Sequence, residues 1–100
     1  MKIQAGGETL RVSEIKELGA ANADPFRDEV RGALADGQKH IEIDLSQTAF
    51  IDSCGLGALI ALHKTACSRE GAVHLFHPQP PVHQILELTR MHHIFQITKT

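Results

Sequence analysis

Between Ile41 and Cys67 the spacing of apolar residues changes period once, from two to about 3.6, and a chain that does this must run from a strand into a helix. Ile41-Glu42-Ile43-Asp44-Leu45 alternates apolar with acidic residues, as a strand with one covered face does. After a short connection, Leu56, Leu59, Ile60, His63 and Cys67 recur at helical spacing. The junction reads Asp52-Ser53-Cys54-Gly55-Leu56-Gly57. Asp52 or Ser53 falls at the N-cap, where a side-chain oxygen accepts from a backbone N–H that has no helical partner. A phosphate on Ser53 would meet such N–H groups and the positive end of the helix dipole. The plainer role for Ser53 is that of a cap alone.

The rest of the chain repeats this alternation of strand and helix. Lys2 to Ala5 reads as a first strand, Gly6-Gly7 as a turn, and Thr9 to Leu18 as a second strand. In that second strand Leu10 and Val12 alternate with polar neighbours, but the phase is lost near Glu14 and Ile15. Gly19-Ala20-Ala21-Asn22 is a loop. Asp24 then suits an N-cap and Pro25 a first helical position, with Asp28 and Glu29 toward the favourable end of the dipole. Phe26, Val30, Ala33 and Leu34 form the apolar stripe of that helix, and Gly37 is its expected stop. The helix beginning near Ser53 should end by Gly71, followed by a strand over Ala72-Val73-His74-Leu75-Phe76. Pro78-Gln79-Pro80-Pro81 cannot continue a ladder and leads into a last helix. Its apolar face holds Val82, Ile85, Leu86 and Thr89, widened by Leu88 and Met91, and Gln96-Ile97-Thr98 closes the pattern as a short strand. The expectation is an α/β domain with a small mixed sheet, with Ser53 at a strand end, where open α/β sheets carry function.

Composition narrows the function. One hundred residues make one domain, 1–100, and a formal net charge of −2 gives no basic surface for nucleic acid. No apolar run approaches a membrane span, and Met1-Lys2-Ile3-Gln4-Ala5-Gly6-Gly7 is too short and polar for a signal peptide, so a cytoplasmic protein is expected. On one helix, Cys54 and Cys67 would lie about 20 Å apart, beyond disulfide reach. Reduced thiols in a reducing compartment follow.

Several residue types suggest chemistry that their spacing does not support. Gly55-Leu56-Gly57 resembles a phosphate loop only superficially, because neither a Gly-Lys-Ser/Thr nor a dinucleotide fingerprint accompanies it. Small residues on the first turn instead let a partner's backbone approach, at about 1 kcal/mol of helix propensity per glycine. Packing within the domain explains them equally well. Asp44 and Asp52 are better read as loop and cap acceptors than as a catalytic pair. Helix starts favour thiolate in general, which makes Cys54 a candidate for oxidation or attack, but no base stands at a diagnostic spacing and a small buried Cys is the plainer reading. The seven histidines show no zinc spacing, and adjacent His92 and His93 should face different ways on a helix. No cofactor is implied.

Ile43-Asp44-Leu45-Ser46, then Phe50-Ile51-Asp52-Ser53-Cys54-Gly55-Leu56-Gly57, resembles the signature of the STAS domain, shared by anti-sigma factor antagonists and sulfate-transporter tails. Val82-His83-Gln84-Ile85-Leu86-Glu87-Leu88-Thr89 is similar to the family's last helix, and the likeness runs from about Leu10 onward. It implies a small mixed sheet with helices packed mainly on one face. In the antagonist branch, the serine after the aspartate is phosphorylated by an anti-sigma kinase; here that position is Ser53, and Asp52 is the acid beside it. The following family position is usually Ser or Thr, and this chain has Cys54, which removes an alternative hydroxyl. The resemblance therefore implies a non-enzymatic partner-switch protein. Its partners would be an anti-sigma factor with serine kinase activity and a PP2C-type phosphatase, meeting Asp52, Ser53, Cys54, Gly55, Leu56 and Gly57. The alternative is a non-catalytic STAS interaction subunit of a membrane transport complex or chemosensory assembly. A thiol- or metal-dependent enzyme is a third class, disfavoured by the small core and missing ligand motif.

Overall fold

The computed structural model describes residues 1–99. Strands β1 (Lys2–Gly6), β2 (Thr9–Ser13), β4 (His40–Asp44), β6 (Val73–Phe76) and β7 (Gln96–Thr98) form a five-stranded sheet in the order β1-β2-β4-β6-β7. The β1–β2 pair is antiparallel and the remaining pairs are parallel, which makes the sheet mixed. Two-residue strands β3 (Glu17–Leu18) and β5 (Phe50–Ile51) pair separately, in parallel. Helices α1 (Ala23–Ala33), α2 (Ser53–Ser68) and α3 (Pro80–Leu88) complete the domain, with a 3₁₀ turn over Met91–His93.

Period-2 alternation decides which face of the sheet is covered. Leu10, Ile41 and Val73 stand in one row and Val12, Ile43 and Leu75 in the next. All six are at most 1% exposed, and they meet Phe26 and Val30 of α1, Leu59 and Leu62 of α2, and Val82 and Leu86 of α3 in one core. Each such aliphatic side chain contributes about 1.5–3 kcal/mol by leaving water. The helices lie on this one face. The opposite face carries Arg11, Glu42 and His74 in a row, with Arg11 3.3 Å from Glu42, 3.5 Å from Asp44 and 5.2 Å from the Phe76 ring centroid.

Several sequence expectations change here. The segment expected as one strand from Thr9 to Leu18 is two, because Glu14 adopts φ 58, breaks the ladder and sends β3 to a different partner. Buried Thr48 pins that break, its hydroxyl donating to the Ile15 carbonyl. Helix α1 starts at Ala23, with Asn22 rather than Asp24 at the boundary; Asn22 closes the preceding loop, accepting from Gly19 N at 2.9 Å and donating to the Glu17 carbonyl at 2.7 Å. It ends at Ala33 with Leu34 extended, so Gly37 lies beyond its stop. On α2 the buried stripe runs through Leu56, Leu59, Leu62 and Ala66, leaving His63 half-buried and Cys67 exposed. On the last helix Leu88 is 76% exposed, and Met91 belongs to the 3₁₀ turn, where the rings of His92 and His93 lie 4.1 Å apart instead of facing different ways.

Candidate functional site

Ile51 is buried beneath the start of α2, and the next residue turns the chain. Asp52 is the N-cap, with φ −123 and ψ −172. Its Oδ1 accepts from Cys54 N at 2.9 Å and Gly55 N at 3.0 Å, and its Oδ2 accepts from Ala20 N at 3.1 Å. Asp52 N in turn donates to the Leu18 carbonyl at 3.2 Å. One residue thus ties the β3–α1 loop, the end of β5 and the head of α2 together. The N–H groups of Gly55, Ala20 and Cys54 hold its carboxyl below the ordinary aspartate value, against a smaller opposing effect of burial. The choice between Asp52 and Ser53 as cap is settled by these bonds. Ser53 is the first helical residue, and its side chain is exposed.

Beyond the Asp52 cap, the other five junction residues divide by direction. Gly55 and Leu56 face inward: Leu56 is 9% exposed, and a Cβ on Gly55 would run into the Leu18 carbonyl oxygen while standing 3.0 Å from Ile51 Cγ1. Gly55 therefore permits β3 to lie against α2. Ser53, Cys54 and Gly57 face outward, and a Cβ on Gly57 would have no neighbour within 4 Å among the described residues. Cys54 is exposed and its thiol free, so the small buried cysteine expected there is not what the fold builds.

Phe50, which opens the signature segment but is not among the expected contact residues, joins this surface. It is 50% exposed, and its ring passes close to Gly19, where a Cβ would stand 2.9 Å from Phe50 Cε1 and 2.7 Å from Asp52 Oδ2. The signal was present as Phe50 outward and Ile51 inward, a single alternation too short to read as a strand. Asp44 does not belong to the site. It accepts from Ser46 N at 2.9 Å and pairs with Arg11 on the uncovered sheet face. Burial works against the Asp44 charge, but the Ser46 hydrogen bonds, Arg11 and His77 outweigh it and leave the carboxyl below its ordinary value. No three His, Cys, Asp or Glu side chains among the described residues cluster as a metal site. No helix among them is long and apolar enough to cross a membrane.

An open mixed sheet with helices on one face defines a small α/β domain, and its candidate site, around an outward serine at the head of the second helix, lies on the surface. The STAS domain profile matches residues 3–100, and the chain belongs to that family. It is 29% identical over 82 residues to an anti-sigma F factor antagonist of Paenibacillus polymyxa, covering 81% of this chain and 70% of that one. A candidate anti-sigma factor antagonist from Thermotoga maritima superposes with a TM-score of 0.89 at 26% identity, over 99% of this chain and 86% of that one. The anti-sigma factor antagonist SpoIIAA of Bacillus, in its unphosphorylated form, gives a TM-score of 0.83 over 96% and 85% of the two chains; at 17% identity, that likeness is one of fold.

Proposed function

We propose that this protein is an anti-sigma factor antagonist whose hold on its partner is governed by phosphorylation of Ser53. The observation that carries the reading is the division of labour at the head of α2. Asp52 does the capping, which leaves the neighbouring Ser53 hydroxyl on the outside of the first turn. Family membership and the likeness to antagonists support the same role.

In this reading the unmodified surface of Ser53, Cys54, Gly57 and Phe50 packs against an anti-sigma factor that is also a serine kinase, and thereby frees its sigma factor. Phosphate then adds about −1.5 to −2 charges and three acceptor oxygens on that surface. Asp52, held ionised by its amide partners, is the adjacent residue, so the two negative groups repel. Repulsion and desolvation of the phosphate in a packed contact together cost several kcal/mol. Each 1.4 kcal/mol weakens binding tenfold, so a few suffice for release. A PP2C-type phosphatase resets the switch. The chain is the substrate of these reactions and needs no catalytic group of its own.

Incubation with the cognate kinase and ATP is expected to add one phosphate, mapped by peptide mass spectrometry to Ser53, and none to Ser53→Ala. Stoichiometric labelling of Ser53→Ala, or a phosphate mapped to Ser46, refutes the assignment. A transport or chemosensory subunit would use the same face without necessarily being phosphorylated, so the absence of any phosphate after this incubation favours that reading.

A further inference from the structure

The break between β2 and β3, where Glu14 adopts φ 58, faces the first turns of α1 across an open cleft of about 310 Å³. Ile15 and Phe26, 4% and 3% exposed, and the more exposed Pro25 line it with apolar surface. Glu14, Glu17 and Glu29 bring three carboxylates to it, against Lys16 alone among the cationic side chains. None of these four charged groups belongs to an ion pair among the described residues, so the cleft keeps an excess of negative charge.

The cleft is continuous with the surface around Ser53. β3 and β5 pair with Glu17 beside Phe50 and Leu18 beside Ile51; the first two are exposed and the second two buried. Glu17 and Phe50 therefore stand side by side on the outside of the short ladder. Asn22, also on the cleft wall, accepts from Gly19 N and donates to the Glu17 carbonyl, while Ala20 N of the same loop holds Asp52 Oδ2. One loop thus walls the cleft and braces the cap before Ser53.

We infer that the partner reaches from Ser53 across Phe50 into this cleft with a basic segment, an inference that rests on the antagonist role proposed for Ser53. The segment carries a lysine or arginine whose aliphatic stem lies on the apolar lining and whose charge meets Glu17 and Glu29. Long basic side chains cover apolar surface in this way while the charged head stays in water. Both carboxylates are exposed, so their effect falls chiefly on capture: complementary charge speeds association, and salt removes the advantage.

Stopped-flow association with the purified cognate anti-sigma kinase, at low and high salt, tests this. Glu17→Lys/Glu29→Lys should slow association at least about tenfold at low salt, with the gap closing at high salt and circular dichroism unchanged. Asp36→Lys/Glu70→Lys alters net charge equally at exposed positions outside the cleft and should slow it by less than about threefold. Equal rates for the parent and the cleft variant, or equal slowing by the control pair, overturn this inference alone, because Ser53 labelling tests the antagonist role separately. A parent that neither binds the kinase nor is phosphorylated by it overturns both. A dimer of this chain in sedimentation that the cleft substitutions dissolve gives the cleft to a second copy and overturns the inference as well.

Discussion

Replacing either glycine of the α2 first turns by alanine should have opposite effects on stability. Both positions lie within a helix and neither has positive φ, so alanine gains about 1 kcal/mol of intrinsic helix propensity at each. At Gly57 the new methyl meets nothing within 4 Å among the described residues, and the full gain is realised. For a domain of this size that raises Tm by about 4–8 °C. At Gly55 the methyl would overlap the Leu18 carbonyl, which is strand backbone and cannot rotate away like a side chain. Overpacking of this kind costs about 1–3 kcal/mol. The same carbonyl accepts from Asp52 N at 3.2 Å, so moving it also weakens a bond worth about 0.5–1.5 kcal/mol. After the propensity gain, Gly55→Ala should lose about 0.5–3.5 kcal/mol. Thermal unfolding followed by circular dichroism, with urea titration for ΔG, measures both variants against the parent. If Gly55→Ala is as stable as Gly57→Ala, the reasoning from the Leu18 carbonyl is wrong.

Gly57→Arg projects a long side chain from the outward face and should weaken partner binding at least about tenfold, or 1.4 kcal/mol, in a domain that remains folded; unchanged affinity by titration calorimetry would move the interface elsewhere. Thr48→Val keeps the shape of a fully buried side chain but leaves the Ile15 carbonyl without its hydroxyl partner, a loss of about 1–3 kcal/mol visible as a lower urea midpoint. A midpoint equal to the parent's would mean that this bond does not hold the β2–β3 break. Asp52 has a folded pKa below its unfolded one, so its contribution is complete above the unfolded value and disappears as pH falls through the folded value. Asp52→Asn should therefore be less stable than the parent at neutral pH and converge with it in acid. A constant gap across a pH series of urea titrations would contradict a charge-based role.

The sheet and the second helix were legible because their residues repeat. Ile41, Ile43 and Leu45 each fall on the covered face, and Leu56 and Leu59 point the same way one turn apart. The β3–β5 pair was not legible, since a two-residue strand shows no period and the φ 58 at Glu14 shifts the phase without any glycine to announce it. Asn22 does not announce the boundary because its side chain serves the loop behind it, while Asp24 and Pro25 carry the usual marks of a helix start. Spacing places Ser53 near the helix head, but its outward exposure depends on Asp52 taking the cap, a choice between adjacent residues that spacing does not make. Gly55 and Gly57 read alike in sequence. Only the position of Leu18 tells the inward one from the outward one.

The separation of β3 and β5 from the five-stranded sheet gives the domain two mechanical parts. The large ladder is continuous from β1 to β7 and is shielded on one face by all three helices, whereas the small ladder has two residues on each side. Opening a segment requires only the contacts it makes itself; the small ladder has few backbone bonds to break, but its Leu18 and Ile51 are buried in the common core and must be uncovered as well. The head of α2 is fastened to the small ladder, through Asp52 N on Leu18 and Gly55 against the same carbonyl. On the proposed reading, an enzyme that draws Ser53 out of the helical turn works against the short ladder and the burial of Leu18 and Ile51, and not against the five-stranded sheet.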